Sequence, residues 1–279
     1  MVVNRSWAAS VNQISLQGIF VFRVKNTRLV NNLSFEKYFW DVVDLRCKVI
    51  LDVGAGKGAT TVRVLEKMSS EEAGGIVVAV DVVRGSLALC KENVAKLPHR
   101  AQVELIAADS AYLPLRDESV DLVLSSRAIA DMNSPPCRVV KVLAELYRVL
   151  GEGGRVVLSD ECPITKQTQE DEVPSLMRRL AKAVSHLVGR EHAHEVDPKD
   201  LEFIMRLVGF KEIELRTFKG ESLTPQRIGR FVKNSMDIIS HIDDSELRRA
   251  LAHHVKRVRE ALEKKGGFLP PRYVLHARK

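Results

Sequence analysis

An aspartate followed by three alternating glycines is the part of this sequence whose residue types and spacing point most directly to chemistry. The segment VILDVGAGKG spans residues 49–58 and contains Asp52, Gly54, Gly56 and Gly58. Glycine permits a sharp turn and lets a ligand lie against the backbone. The helix expected next would add free N–H groups at its first turn. The segment therefore predicts a small-molecule site at a strand-to-helix turn.

The spacing of the glycines indicates which kind of ligand. A dinucleotide site typically has the pattern G-x-G-x-x-G and holds a pyrophosphate at a helix N-terminus. Here the pattern is G-x-G-x-G, and an acid precedes the first glycine by two residues. That acid would repel a pyrophosphate but attract a cation. S-adenosyl-L-methionine (SAM) carries an ammonium and a sulfonium and no phosphate, so the sequence favours SAM. An NADH-binding dehydrogenase is the less favoured alternative.

Two further aspartates follow apolar runs. Asp81 comes 23 residues after Gly58, and Asp109 stands in the segment AADS of residues 107–110. A carboxylate in the first position can accept hydrogen bonds from both ribose hydroxyls, and one in the second can accept from an adenine amino group. Open α/β sheets bind ligands at the carboxyl ends of their strands. The three aspartates are therefore expected at one edge of a sheet.

The elements that must position these residues alternate along the chain. Short apolar runs read as buried strands and lie at 49–53, 76–80, 103–107, 121–125 and 155–159. Amphipathic helices are predicted between them, at about 59–68, at about 84–97, and from Pro135 to a stop at Gly151. Strands alternating with helices predict a doubly wound α/β domain with a mostly parallel sheet.

The remaining chain divides around this core. We predict an N-terminal arm and capping helix (1–48, with the helix at about 35–45 over the open side of the cofactor cleft), the core (49–160), a helical insertion (161–197), a core helix and strand (198–218), a second helical insertion (219–271) and a final strand (272–279). In the second insertion, Asp243 and Glu246 form a capping-box pattern. Helices in the two insertions are expected to form a lid over an apolar pocket.

The motifs taken together resemble those of the class I SAM-dependent methyltransferases, in the small-molecule branch of that superfamily. The similarity lies in LDVGAGKG (51–58), VDV (80–82), ADS (108–110), SVDLVL (119–124) and ELYRVLGEGGR (145–155). Residues 198–218 and 272–279 are similar to the last helix and the last two strands of the family. The resemblance implies a Rossmann-like sheet of seven strands, with the seventh antiparallel, and SAM as methyl donor with S-adenosylhomocysteine as product.

The resemblance also implies roles for individual residues. Asp52 would orient the amino-acid end of SAM, Asp81 would hold the ribose, and Asp109 would meet the adenine amino edge. Gly54, Ala55, Gly56 and Val82 would pack against the cofactor. Ser110 would meet the adenine amino edge together with Asp109, and Ser126 would lie beside the methyl group. The full cofactor set is Asp52, Gly54, Ala55, Gly56, Gly58, Asp81, Val82, Asp109, Ser110 and Ser126.

The catalytic residues are not fixed by this pattern. Methyl transfer from a sulfonium is an in-line displacement, in which the protein mainly positions the acceptor and excludes water. A general base is needed only where the acceptor must lose a proton. Four side chains are candidates near the methyl group: Arg127, Asp131, Glu161 and His186. His192 and His194 lack a third ligand at a useful spacing, so no metal site is expected.

Charge and cysteine content bear on partners and compartment. The net charge is +7, and the whole surplus lies in residues 219–279, which hold 14 basic and 7 acidic residues. A small or lipid-like organic acceptor is the first hypothesis. The alternative acceptor is RNA or a protein, bound through the basic helices. The alternative from another functional class is a SAM-binding protein that catalyses no reaction.

A homodimer is compatible with the sequence. Four irregularly spaced cysteines, no recognised targeting segment and no long apolar run predict a cytoplasmic protein.

Overall fold

The computed structural model describes residues 34–70, 74–98, 101–163, 172–189 and 193–279. The predicted arm at residues 1–33 and His192 lie outside the described residues. Within the described part, the chain alternates strands and helices in the order that the apolar runs predict.

One seven-stranded sheet forms the centre of the fold. Its strands are β1 (Val49–Val53), β2 (Ile76–Asp81), β3 (Gln102–Ala107), β4 (Val120–Ser126), β5 (Leu150–Glu161), β6 (Lys211–Phe218) and β7 (Arg272–Arg278). Their order across the sheet is β3-β2-β1-β4-β5-β7-β6, and β7 is antiparallel to both of its neighbours. The predicted doubly wound, mostly parallel sheet is confirmed. β5 is longer than predicted, because it begins at Leu150 and runs through the glycines that were expected to end the preceding helix.

Nine helices are described around this sheet. They are α1 (Phe35–Val42), α2 (Ala59–Ser70), α3 (Arg84–Val94), α4 (Ile129–Met132), α5 (Val139–Val149), α6 (Glu172–Leu187), α7 (Pro198–Val208), α8 (Pro225–Ile239) and α9 (Ser245–Lys265). α7 begins at Pro198, the first residue of the predicted core helix and strand, and Gly209 ends it as its C-cap.

Two helix starts differ from the sequence prediction. α5 begins at Val139 and not at Pro135, because Cys137 has a φ of 70°, a left-handed conformation that a helix does not continue through. α9 is capped by Asp244 and not by Asp243. The Asp244 carboxylate accepts hydrogen bonds from the amides of Glu246 and Leu247, which satisfies two N–H groups that have no partner within the helix.

Apolar side chains cover both faces of the sheet, as expected for parallel strands buried on two sides. On one face, Leu51 and Val123 pack in a cluster with residues of α4, α5 and α7. On the other, Ile50 and Leu122 pack in a cluster with residues of α1, α2 and α3. Neighbouring residues of one strand thus point to opposite faces, so each strand is held rigidly between two cores.

A three-helix bundle formed by α6, α8 and α9 has a core of its own. Its buried residues form two small clusters, around Val173, Ile228, Val258 and Leu262 and around Val184, Ile239, Ile242 and Val255. The bundle reaches the carboxyl edge of the sheet through Arg178 of α6, which forms ion pairs with Glu161 at the end of β5 and with Glu195. The two helical insertions predicted from the sequence therefore combine into one packing unit.

The packing of α5 generates a stability prediction with a control on the same helix. Leu146 is fully buried in the core, whereas Val140, also apolar, is 45% exposed. Leu146→Ala should lower the free energy of unfolding by about 2–5 kcal/mol, because it leaves a cavity. Val140→Ala should change it by no more than about 0.5 kcal/mol. Urea denaturation of both variants measures the difference, and equal effects would contradict the packing described for α5.

Candidate functional site

The reversal of strand order between β1 and β4 positions the candidate site. Open α/β sheets bind ligands at the carboxyl ends of the strands beside such a switch point. A cavity of about 370 Å³ opens there, within the range of small-molecule pockets. Its wall is formed by residues at or beyond the carboxyl ends of β1, β2, β3 and β4: Gly54, Gly56, Val80, Asp81, Val82, Val83, Ser86, Ala108, Asp109, Ser110, Arg127, Ala128, Asp131, Met132 and Arg138.

The three glycines after β1 have different structural roles. All three have positive φ, which suits glycine better than other residues. A Cβ on Gly54 would lie 2.3 Å from that of Ala128, and one on Gly58 would lie 2.5 Å from the Sγ atom of Cys90. Those glycines allow helices to approach the turn. A Cβ on Gly56 would meet nothing within 4 Å, so Gly56 is the glycine that leaves open space beside the backbone.

Asp52 is buried behind the turn. Its Oδ2 atom accepts a hydrogen bond of 2.6 Å from the hydroxyl of Thr61 on α2. Its Oδ1 atom is buried and has no hydrogen-bond partner among the described residues. Burial raises the pKa of Asp52 to about 6, because removing water disfavours the charged form. A buried carboxylate with an unused oxygen next to a ligand cavity fits a cationic ligand group.

Asp81 ties two neighbouring segments together at the end of β2. Its Oδ2 atom accepts a hydrogen bond of 2.8 Å from the amide of Gly56, and its Oδ1 atom accepts one of 2.8 Å from the amide of Val83. Each carboxylate oxygen can accept a second hydrogen bond. Asp81 lines the cavity and can therefore hold the turn and a ligand hydroxyl pair at the same time.

Asp109, after β3, has a partner that the sequence did not predict. One of its oxygens accepts from the amide of Ala111 at 2.9 Å, and the other forms an ion pair with Arg138. The Arg138 guanidinium also donates to the carbonyl oxygen of Ser134 and lines the cavity. Arg138 precedes α5 and belongs to no periodic pattern, so the sequence carried no signal for it.

The other predicted cofactor residues divide between the cavity wall and its support. Val82 and Ser110 line the cavity, as do Gly54, Gly56, Asp81 and Asp109. Asp52, Ala55, Gly58 and Ser126 are not among the lining residues. Ser126, at the end of β4, instead accepts a hydrogen bond from the hydroxyl of Ser159 on β5.

Of the four catalytic candidates, the structure brings two to the cavity. Arg127 and Asp131 line it. Burial raises the pKa of Asp131, and the neighbouring carboxylates of Asp160, Asp81 and Glu195 add to the effect. Glu161 is instead paired with Arg178. His186 is exposed on α6 and is not among the residues that line the cavity.

Asp160 is a buried acid that the sequence analysis missed. Its Oδ2 atom accepts a hydrogen bond of 3.0 Å from the amide of Ala130 in α4, so it fixes the short helix that carries Asp131. Burial raises the pKa of Asp160 to about 6. The available signal was its position at the end of an apolar run, the same signal that identified Asp81 and Asp109.

The helix α1 does not lie where the sequence predicted. Phe35 and Phe39 are buried on the sheet face that also carries α2 and α3, and Tyr38 approaches His276 of β7. No residue of α1 is among those that line the cavity. Its apolar stripe is therefore explained by sheet packing and not by a cover over the cleft.

Comparisons with known proteins agree with this geometry. A family model described as "Methyltransferase domain" matches residues 51–158. A malonyl-[acyl-carrier protein] O-methyltransferase from Marinomonas is 31% identical over 54% of this chain and 48% of its own length. A demethylmenaquinone methyltransferase from Clavibacter sepedonicus is 28% identical over 70% of this chain and 74% of its own. The chain thus spans about half the length of the first of these relatives.

The fold has a counterpart among solved structures. A protein from Bacillus halodurans C-125, provisionally described as a methyltransferase, superposes with a TM-score of 0.62 over 87% of this chain and 97% of its own. The two sequences are 19% identical, so this likeness supports the fold alone.

Neither a metal-binding cluster nor a membrane-spanning helix is found in the described ranges. No group of three or more His, Cys, Asp or Glu side chains there could hold a metal ion. Among the helices that the structure describes, none is long and apolar enough to cross a bilayer.

The burial of Asp52 generates a pH prediction. The pKa of an aspartate in an unfolded chain is about 3.9, and burial raises that of Asp52 to about 6 in the folded protein. Between these values the folded state binds more protons, so Asp52 lowers the free energy of unfolding as pH rises. Two pKa units correspond to about 3 kcal/mol. Asp52→Asn should therefore gain up to about 3 kcal/mol relative to wild type between pH 4 and pH 7.

Urea denaturation across this pH range measures the gain. The control is Glu66→Gln on the exposed side of α2, which also removes one acid. A stability difference between wild type and Asp52→Asn that stays constant from pH 4 to pH 7 would show that the Asp52 carboxylate is not destabilised by its burial.

Proposed function

We propose that this chain, which belongs to the class I SAM-dependent methyltransferase superfamily, transfers a methyl group from SAM to a small or lipid-like organic acceptor. The observation that carries the proposal is the group of strand-end carboxylates around a glycine turn that opens into a cavity. Asp52 and Asp81 lie at the carboxyl ends of β1 and β2, and Asp109 follows β3; these three strands are adjacent in the sheet. Their charges suit a cationic ligand that has no phosphate.

The residues fit the cofactor at both of its ends. The unpartnered Oδ1 atom of Asp52 supports an interaction with the α-ammonium group, directly or through water. The open space beside Gly56 leaves room for a ligand against the backbone. Asp81 has lone pairs left for two hydroxyl groups, and the Arg138–Asp109 pair presents a planar group where the adenine is expected. When bound, SAM supplies an electrophilic methyl group on a good leaving group.

The chain's own contribution to the reaction is mainly positional. Rigid strands hold Asp81 and Asp109, and aligning two reactants in this way lowers the barrier of a displacement. For an acceptor that must lose a proton, we propose Asp131 as the base. It lines the cavity, and its raised pKa brings it closer to the working pH, which favours proton transfer.

The names of the relatives support the acceptor class. A malonyl-[acyl-carrier protein] O-methyltransferase and a demethylmenaquinone methyltransferase are both named for organic acceptors. We also propose a reducing, cytoplasmic setting, which is supported by four cysteines without a disulfide, Cys47, Cys90, Cys137 and Cys162. The Cys162 thiol has a pKa of about 11, raised by burial, so it suits a structural role better than that of a nucleophile.

An RNA or protein acceptor has less support. The basic surplus lies largely on α9, where Arg259 and Lys256 pair with Glu263 and Glu260 of the same helix. Pairs of this kind are typical of a solvated helix face. A non-catalytic SAM-binding protein stays an alternative, because no single residue of the cavity commits the site to turnover.

Cofactor binding gives the first test of this proposal. Asp81→Ala removes the ribose acceptors and the anchor of the glycine turn, so the dissociation constant for S-adenosylhomocysteine should rise at least about tenfold, as for the loss of charged hydrogen bonds. Isothermal titration calorimetry measures it, with Asp41→Ala on the exposed side of α1 as a control that should match wild type. No binding to wild type, or equal binding to Asp81→Ala, would refute the proposed site.

Turnover gives the second test. The protein is incubated with SAM labelled in the methyl group and with a naphthoquinol, a malonyl thioester or total RNA. Transfer to either organic acceptor, with loss of most of the rate in Asp131→Asn, is the expected result. Transfer to RNA that falls steeply with salt would favour the nucleic-acid alternative, and bound SAM without any product would favour the non-catalytic one.

A further inference from the structure

Two arginines approach the end of β5 from its two neighbouring strands. Arg127 directly follows β4, and its amide donates to the carbonyl oxygen of Ser159 on β5 at 2.7 Å. Arg272 begins β7, where it pairs in register with Glu161 at the end of β5. With strands about 4.8 Å apart, their backbones are separated by roughly 10 Å. That distance lies within the combined reach of two arginine side chains.

The positive charges of the two guanidinium groups lie close enough to interact. Burial lowers the pKa of Arg272, and the charge of Arg127 lowers it further. Arg127 lines the cofactor cavity, and Arg272 lies on the side of β5 away from the cofactor strands. The pair therefore extends from the cavity wall to the far side of β5.

Arg272 is held in place but lacks an acceptor for its donors. Its guanidinium carbon lies 3.4 Å from the ring centre of Phe35, a stacking arrangement that leaves the in-plane N–H groups free. Its Nε atom is buried with no hydrogen-bond partner in the described part of the chain. A buried donor without a partner is costly, and the cost is relieved when a ligand supplies an acceptor.

The carboxylates around Arg272 are already used by other donors. Glu36 accepts from the indole of Trp40, Glu221 pairs with Arg227, and Asp160 accepts from the amides of Ala130 and Glu161. No ion pair with a described carboxylate is found for Arg127 or Arg272. The charges of Glu221, Glu36 and Asp160 act on Arg272 from a distance, but none of them accepts its N–H groups, so the donors of the two guanidiniums stay available to an anion.

We propose that Arg127 and Arg272 bind an anionic oxygen group, a carboxylate or a phosphate, on the molecule that is methylated. The planar fork of arginine matches both groups through paired hydrogen bonds. The assignment of this anion to the acceptor rests on the proposed function, whereas the anion site itself depends only on the two arginines. The site selects acceptors with an acidic group and holds them beside the cavity.

Calorimetric titration with three probes of similar length tests the proposal. Hexanoate, hexyl phosphate and hexanamide are titrated into the protein with and without saturating S-adenosylhomocysteine. At least one of the two anions should bind ten or more times more tightly than hexanamide. Tighter binding of hexanoate identifies a carboxylate on the acceptor, and tighter binding of hexyl phosphate identifies a phosphate.

Variants connect the binding to the two residues. Arg127→Met and Arg272→Met should each weaken anion binding about tenfold or more, as for the loss of a charged hydrogen-bond pair. Because Arg272 is not among the residues that line the cofactor cavity, Arg272→Met should change the affinity for S-adenosylhomocysteine less than twofold. Arg272→Lys keeps the charge but not the fork and should lie between wild type and Arg272→Met. Arg116→Met, at an exposed arginine outside the site, is the matched control and should bind like wild type.

Three results would overturn the proposal: no probe binds, hexanamide binds as tightly as the anions, or the Arg127 and Arg272 variants keep wild-type anion affinity. Thermal unfolding identifies a variant that has lost its fold, and Arg127→Met, which does not disturb the Phe35 stack, keeps the proposal testable if Arg272→Met fails to fold. If the wild-type protein does not bind S-adenosylhomocysteine, that result counts against the proposed function. The anion site is still tested in that case, because the probes are also titrated in the absence of S-adenosylhomocysteine.

Discussion

The hydrogen bond from the Gly56 amide to the Asp81 carboxylate joins the glycine turn to the end of the neighbouring strand, and the geometry of the site depends on it. The backbone adds to this connection, because the Val80 carbonyl oxygen accepts from the amides of both Gly54 and Ala55. Parallel pairing of β1 with β2 ends where Val53 lies opposite Val80, and the turn begins at the next residue, Gly54. A turn held at three points keeps its open side, at Gly56, directed at the cavity.

Holding an acid behind that turn has a cost in stability. Asp52 is 1% exposed, and one of its oxygens has no partner among the described residues. A hydrophobic residue there would pack without this penalty. Retaining a destabilised carboxylate beside a ligand cavity is the pattern expected where function and stability conflict. A cationic ligand that offers a partner to the free oxygen would recover part of the lost free energy.

The sequence allowed the sheet to be predicted because its strands are short apolar runs and its turns contain glycine. The sequence predicted the helix bounds less well where the backbone conformation of a single residue decides where a helix begins. The left-handed backbone at Cys137 delays α5 to Val139, although Pro135 and Pro136 are residues that suit a helix start. The sequence analysis missed Arg138 for a different reason. Its partner, Asp109, is 29 residues away in the chain, and the spacing of residues in one sequence does not report contacts between separate elements. Val140 is apolar and lies among the apolar residues of α5, but it is 45% exposed, because residue type does not report what packs against a side chain.

The two halves of the site also differ in how their residues are supplied. The cofactor side is formed by consecutive strand ends within one continuous segment, so its acids follow each other in an order that a reader of the sequence can recognise. The acceptor side combines Arg127, after β4, with Arg272, at the start of β7, which are brought together only by the insertion of β7 beside β5. The chain between them includes the three-helix bundle, which has its own core. That segment can change without disturbing the cofactor strands, so the choice of acceptor can vary while the cofactor geometry is kept.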